Sequence, residues 1–422
     1  MLETIKNAWK VKEIRNKILF TIFIIAIFRI GSVIPVPYID VAALKSSGTT
    51  NEFFSYLSIL TGGGLEYGAI FAMSITPYIN ASIIIQLLCV AIPYLERLSK
   101  EGEEGQKKLA TITRYTTVIL ALIQGIAYFF YLKASNYLNV TKGVWFAAIV
   151  IVLSFTAGSA IVMWLGEQID VKGIGNGISI LLFAGILSRG PQAFQALWYY
   201  WKELDRYFAV IGIVIAFLLI IAFIVWMTNA ERRIPVQYAK RVVGNKMYGG
   251  QNTHIPIKVN MSGVMPVIFA SSILMLPTMI LSFKSNTTSS FAKFLALFST
   301  RGAFYAVIYF IMIIAFAYFY ATIQFNPVEM ANNLRKNGGA IPGIRPGKPT
   351  SDFISKILSR ITLMGALFLS VIAILPIIVG SVVGINISLG GTSVLIMVGV
   401  ALDTVQNLES QMMMRHYKGF LD

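Results

Sequence analysis

The sequence predicts an all-α membrane protein of ten transmembrane helices, on three observations: long apolar runs, very few charges inside them, and a lopsided distribution of basic residues. Of 422 residues, 56% are hydrophobic and the mean hydropathy is +0.71, far beyond ordinary soluble composition. Hydrocarbon about 30 Å thick takes roughly 20 apolar helical residues per crossing. Such runs fall near 18–36, 69–94, 110–132, 144–165, 176–188 with its Gly-rich lead-in, 207–228, 261–283, 303–325, 361–380 and 393–411. A barrel would show alternation of apolar and polar residues; continuous runs satisfy their backbone only as helices.

Inside these runs the clear charges are Arg29, Arg114 and Asp403, with Glu409 at an exit. Intramembrane ionisable groups usually mark proton relays, ion sites or catalysis, so their scarcity favours a passive conduit. The net charge of +16 would suggest a nucleic-acid partner in a soluble chain. Its placement says otherwise. With the N-terminus in the cytosol, cytosolic segments and span ends hold 25 of the 35 Lys and Arg, external loops hold nine, and Arg29 lies in the first span. The positive-inside rule then puts both termini in the cytosol.

The first 17 residues set Leu2, Ile5, Trp9 and Ile14 among Lys6, Lys10, Lys12 and Arg15, the pattern of a helix lying on anionic lipid. The run that follows is too long for a signal-peptide core and ends in Ile34-Pro35-Val36-Pro37 without a small-residue cleavage site, which predicts a retained span. Cys89 is the single cysteine and permits no internal disulfide.

Five is an odd number of spans. A second set of five that repeats the first must therefore be inverted, as in many transport proteins, which divides the chain into halves 1–190 and 191–422. Between spans 1 and 2, residues Phe53, Phe54, Tyr56, Leu57 and Leu60 form an apolar stretch too short to cross, followed by Gly62-Gly63-Gly64 as a flexible break. An interfacial anchor, a packing element and a movable stopper all fit its composition. Cytosolic connections of about 229–259 and 326–360 are long for structureless loops. Both are basic, and Gly338-Gly339, Ile341-Pro342-Gly343 and Arg345-Pro346-Gly347 are turn signals that predict shaped docking surfaces.

No catalytic site assembles. His254 and His416 are the two histidines, one in a loop and one in the tail, so neither a zinc motif nor a Ser/His pair is available within the spans. Gly173-Ile174-Gly175-Asn176-Gly177 lacks the third glycine of a dinucleotide turn and reads as a helix start capped by Asn176. Gly343 to Lys348 fails as a phosphate loop, because Pro342 and Pro349 occupy the positions of its first glycine and its Ser/Thr. No ATPase or cofactor site is expected; directional work must come from a partner. A secondary transporter would need an ion-coordinating site, for which Asp403 alone is a poor candidate, and an intramembrane enzyme would need reactive groups in pairs.

Several stretches together resemble the SecY family, whose members form the centre of the bacterial protein-translocation channel: Ile75 to Leu88, Gly166-Glu167-Gln168, Gly173 to Ser179, Thr253 to Asn260, Pro342 to Gly347 and Gly390-Gly391-Thr392-Ser393. They occur in the family's order over nearly the whole chain. The resemblance implies a multi-pass protein of the bacterial cytoplasmic membrane with no cofactor, its two halves enclosing an hourglass pore. A ring of Ile75, Ile79, Ile178, Leu182, Ile268 and Ile396 would constrict that pore, Leu182 standing where the family commonly has isoleucine.

By the same resemblance, residues about 53–64 would be a plug. Spans 2 and 7 would flank a lateral gate that carries Asn80, Gln86, Asn260 and Leu276, and signal sequences and translocating polypeptides would enter there. Lys240, Arg241, Lys246 and Arg345 would dock the SecA ATPase or the ribosome, Arg345 foremost, with SecE and SecG as further subunits and anionic lipids as surroundings. An aliphatic ring excludes ions because it offers no ligands in exchange for their water.

Overall fold

A computed structural model of the chain describes residues 9–46, 58, 61–139, 143–202, 207–238, 241–243, 246–248, 252–283, 303–383 and 391–418. The helices of its first part are α1 (Lys12–Gly31), α2 (Val41–Ser46), α3 (Thr76–Ala91), α4 (Pro93–Lys100), α5 (Glu103–Ala134), α6 (Val144–Lys172), α7 (Gly177–Leu187) and α8 (Gly190–Lys202). Those of the second are α9 (Tyr207–Thr228), α10 (Met265–Phe283), α11 (Ala303–Gln324), α12 (Pro327–Lys336), α13 (Lys348–Val383) and α14 (Gly391–Lys418). Each of the ten apolar runs carries a helix. Among the described residues, six helices are long and apolar enough to cross a membrane, or seven if the bent pair α3–α4 counts as one.

Boundaries depart from the apolar runs where proline and glycine dictate. α1 stops at Gly31, ahead of Pro35 and Pro37, and not at residue 36. Ala69 bridges to Pro35 and residues 70–75 are turns, so the second span starts at Thr76 with Pro77 in its first turn, where a missing N–H costs nothing. Ile92 is extended (φ −109, ψ 115) before Pro93, as the proline ring requires of its predecessor. The axis there turns by 103° into α4, whose Glu96, Arg97 and Lys100 suit the membrane surface. The N-terminal lipid-surface expectation also needs correction. α1 begins at Lys12 and is continuous through the span, with Ile14 buried against Ile174 and Leu408; Leu2 and Ile5 lie outside the described residues.

The helices pack in two groups. In the first, α5 lies on α3 and α6, and α6 on α1 and α7; in the second, α11 lies on α10 and α13, and α13 on α9, α12 and α14. The groups meet where α14 runs along α7 and where α10 touches α5. The largest apolar cluster draws on both groups.

The all-α expectation omits two small sheets, one of three strands and one of two. Strands β1 (Glu231–Tyr238), β2 (Arg241–Val243), β3 (Lys246–Tyr248), β4 (Asn252–Lys258) and β5 (Gly339–Ala340) fall in the two long connections. β1 pairs antiparallel with β4, Ile234 opposite Ile255, and β5 adds to its other edge, Gln237 opposite Ala340. Alternation with period 2 is visible in β1, where Ile234 and Val236 point in while Arg233, Pro235 and Gln237 point out. The two basic loops are thus one folded body. Ile234, Val236 and Ile257 pack on Leu334 of α12 and on Ile354, Leu358 and Ile361 of α13, each buried side chain stabilising by about 1.5–3 kcal/mol relative to water.

Candidate functional site

The proposed ring residues all belong to, or pack against, the large apolar cluster. Ile75, Ile79, Leu182, Ile268 and Ile396 are buried members of the large apolar cluster, and Ile178 packs against it half-buried. They come from α3, α7, α10 and α14, so both helix groups contribute. Ile75 is not inside a helix but at the N-cap of α3, its carbonyl accepting from the Ile79 N–H at 3.1 Å. That bond still aligns the two side chains one turn apart.

α7 is placed by the glycine-rich link before it. A Cβ on Gly177 would collide with the Gly166 carbonyl of α6, and the Gly177 N–H donates to Asp170 Oδ1 at 2.8 Å. Glycine is what lets these two helices touch there. Asn176 caps α7 as expected, its Oδ1 accepting from Ser179 N at 3.0 Å, and Thr21 of α1 accepts from Ile174 N at 3.3 Å.

Directly below the cluster is a polar cavity of about 370 Å³, lined by Asn176 and Ser179 of α7 and by Val400, Asp403, Thr404, Gln406, Asn407 and Ser410 of α14. Along α14 the change is abrupt: Val394, Leu395, Ile396, Val398, Val400 and Leu402 are buried and apolar, and the polar lining begins at Asp403. Arg114, another charge in a span, pairs at its helix surface with Glu167 at 2.6 Å. Among the described residues, no three His, Cys, Asp or Glu side chains could share a metal ion.

On the opposite side lies the turn that contains the three glycines. Gly62 has φ +65, and a Cβ on it would sit 2.6 Å from both Arg29 Nη1 and the Gly185 carbonyl, so the backbone rests against the outer ends of α1 and α7. Gly63 also has positive φ, +90. Ser188 Oγ donates to the Gly62 carbonyl at 3.3 Å, and Tyr128 OH donates to the Leu65 carbonyl at 3.0 Å. Of the other residues expected in a plug, Gly64 is buried beside Ser32 and Ala72, while Phe53, Phe54, Tyr56, Leu57 and Leu60 lie outside the described residues.

The residues expected along a lateral gate are less uniform. Gln86 donates to Ser82 of its own helix at 3.2 Å, a bond that spans no gate, and Asn80 is half-buried on α3. Asn260, just before α10, has a buried Oδ1 with no hydrogen-bond partner among the described residues and lines a cavity of about 40 Å³ with Thr228, Lys258 and Asp403. Leu276 lies on α10 one residue before Pro277; its side chain is outside the described residues.

Of the residues expected to dock a partner, Arg345 is exposed between turns, its carbonyl accepting from Thr350 Oγ1 at 2.8 Å. Arg241 pairs with Tyr248 and Lys246 with Val243 in the β2–β3 hairpin, and Lys240 is outside the described residues.

Comparison with known proteins decides the family. The SecY family model matches residues 69–405. Protein translocase subunit SecY of Bacillus subtilis (strain 168) is 45% identical over 433 residues, and that of Streptomyces scabiei 44% over 441, each match covering 100% of both chains. The chain belongs to the SecY family. Among solved structures, a protein conducting channel superposes with a TM-score of 0.63 at 17% identity, over 94% of this chain and 92% of the other. A SecY protein whose plug domain is described as stabilising the closed state superposes at 0.65 and 18%, with the same coverage. The two structures establish the fold.

Sequence reading missed three residues that the structure brings together at the external turn: Ser58, Glu66 and Arg189. Arg189 is 7% exposed and paired with Glu66. Its signal was available, since an arginine directly after an apolar run and before Gly190 needs a partner wherever it is buried.

Proposed function

We propose that this chain is a gated, protein-conducting channel of the bacterial cytoplasmic membrane, passing unfolded polypeptides across and releasing apolar segments sideways into lipid. One observation supports the reading: aliphatic side chains from both helix groups share a single cluster, and a polar cavity of about 370 Å³ adjoins it at Val400. A chain entering from the cytosol meets amides and hydroxyls first and then the waist of Ile75, Ile79, Ile178, Leu182, Ile268 and Ile396. These side chains form no hydrogen bonds, so any extended sequence can displace them. At rest they refuse ions, which would lose hydration without compensation.

The halves 1–190 and 191–422 hinge about the waist, with α3 and α10 as the sides of the lateral gate and Asn80, Gln86, Asn260 and Leu276 along it. A segment of about 20 apolar residues leaves by that route because hydrocarbon suits it better than a wet funnel. Residues about 53–64 close the external funnel as a plug. The sheet and its neighbouring turn receive the SecA ATPase or the ribosome through Arg345, Lys240, Arg241 and Lys246, and both termini are cytosolic. SecE and SecG complete the assembly, and anionic lipid meets the basic cytosolic face. The channel has no enzymatic activity of its own.

The test is a translocation intermediate stalled in the purified complex. Cysteines at positions 79 and 268 should both crosslink to the same stretch of the stalled chain. A chain that crosslinks only to positions outside the cluster refutes the route.

A further inference from the structure

The helix α8 carries an aromatic face that the rest of the described chain leaves open. Phe194, Leu197, Trp198 and Trp201 recur at i, i+3, i+4 and i+7, so they share one side of the helix. Phe194 is 66%, Trp198 54% and Trp201 36% exposed, and the buried residue of α8 is Ala193 on another side. The rings order one another. Phe194 stacks on Trp198 with centroids 6.3 Å apart, and Lys202 sets its Nζ 5.3 Å from the Trp198 ring.

What meets this face follows from where the helix ends. Trp201 packs edge-on against Tyr207, the first residue of α9, with centroids 4.9 Å apart. The apolar window of α9, Val210–Thr228, has 19 residues, about 29 Å at 1.5 Å each, which matches a hydrocarbon core of about 30 Å. Tyr207 precedes that window by less than a turn, so Trp201 beside it lies at the boundary between hydrocarbon and headgroups. Trp226, 67% exposed, stands near the other end of the same window. Along its length α9 turns Ile211, Val214, Ile215, Leu218 and Leu219 outward, a surface suited to lipid tails, and the aromatic face of α8 joins α9 at the Trp201–Tyr207 contact.

We propose that the Phe194, Trp198 and Trp201 face of α8 is a lipid anchor, docking into the headgroup and carbonyl zone of the bilayer surface where α9 begins. The chemistry is that of an interfacial aromatic: each indole buries a large apolar area while its N–H still reaches a lipid oxygen. Lys202, the one charge in α8, adds an ammonium for a lipid phosphate while its stem stays along the Trp198 ring. Two residues separate α7 from α8, so lipid that holds α8 also holds the end of α7. The proposal needs only that α9 crosses the bilayer, whatever passes through the protein.

The test uses the full chain with its partner subunits, reconstituted in vesicles of phosphatidylcholine and phosphatidylglycerol, with Trp198 kept and the other five tryptophans replaced by phenylalanine. Lipid brominated near the glycerol end of its chains should quench Trp198 fluorescence at least about twofold more than lipid brominated near the methyl end, as an interfacial ring requires. Iodide in the buffer should quench it little. Strong iodide quenching without lipid quenching would put α8 in water and overturn the proposal. Stronger quenching from the methyl end would put the face in the hydrocarbon core, and shielding from both quenchers would mean that a partner subunit or a second copy covers it; either result overturns the anchor. A second measurement needs only Cys89→Ser with Phe194→Cys, which keeps every tryptophan. A nitroxide attached at 194 should collide with oxygen less often, and with a water-soluble nickel chelate more often, than one attached in Cys89→Ser with Leu218→Cys on α9; a label at 194 as shielded from nickel as that at 218 contradicts the interfacial placement.

Discussion

Replacing Ile79 with asparagine tests the waist most directly. The side chain is 8% exposed, in the first turns of α3 and in the same cluster as Ile268 and Ile396. An unpaired amide in apolar surroundings costs about 1–3 kcal/mol on mutational scales, and the lost burial of isoleucine removes about 1.5–3 kcal/mol. In an open channel the amide is hydrated, so neither cost applies there. Even the lower figures, about 2.5 kcal/mol together, shift the shut-to-open ratio about 70-fold at 1.36 kcal/mol per decade. Vesicles holding the reconstituted complex should therefore leak halide at rest, and clients with defective signal sequences should be exported. Ile79→Val, which deletes one methylene at about 0.5–1.5 kcal/mol, should stay sealed. Unchanged leak and unchanged signal dependence for asparagine at both 79 and 268 would refute the placement of the waist.

Reversing the exposed Arg345 to glutamate should impair motor-driven export while leaving the melting profile of the complex intact; normal export rates would remove it from the docking role. Gly158→Val should lower the melting temperature, because a Cβ there meets the Ile70 carbonyl and overpacking typically costs about 1–3 kcal/mol. Loss of the α7 cap in Asn176→Ala should cost about 1 kcal/mol of stability with little resting leak, readable by comparing thermal unfolding and halide flux on the same preparation. Ribosome binding, if carried by the basic sheet, should weaken linearly in log affinity against log salt, measured by co-sedimentation.

Apolar runs made the spans legible, because bilayer thickness leaves length as nearly the sole variable. Their ends were less so. Pro93 and Gly31 acted as sequence rules anticipate, yet residues 70–75 are as apolar as a helix and were drawn into turns by packing: Phe71, Ala72 and Met73 are buried in apolar clusters beneath the external turn. The sheet hid for the opposite reason. Glu231 to Tyr238 alternates over only a few residues, and its partner strands lie about 20 and 100 positions away, so no local window contains the pairing. At the site, a ring could be proposed only through resemblance, since isoleucine on a helix face is an ordinary core pattern. Ser58, Glu66 and Arg189 are separated by up to 131 positions, and only coordinates join them.

The waist and the Arg189 pair use opposite chemistry because they face opposite demands. A constriction that must admit any sequence cannot rely on directional bonds, and dispersion contacts of about 0.1–0.2 kcal/mol per atom pair yield gradually and re-form around whatever replaces the neighbour. A turn with one resting place is held better by directional bonds to a buried charge than by grease. The backbone of α7, which carries Ile178 and Leu182, is held by glycine contact at Gly177, by the Asn176 cap and by the Arg189 pair beyond its end. It follows that mutations weakening the waist should relax selectivity without displacing α7, whereas breaking the Arg189 pair should lower the melting temperature while the ring stays aliphatic; double variants should then add in free energy, as independent sites do.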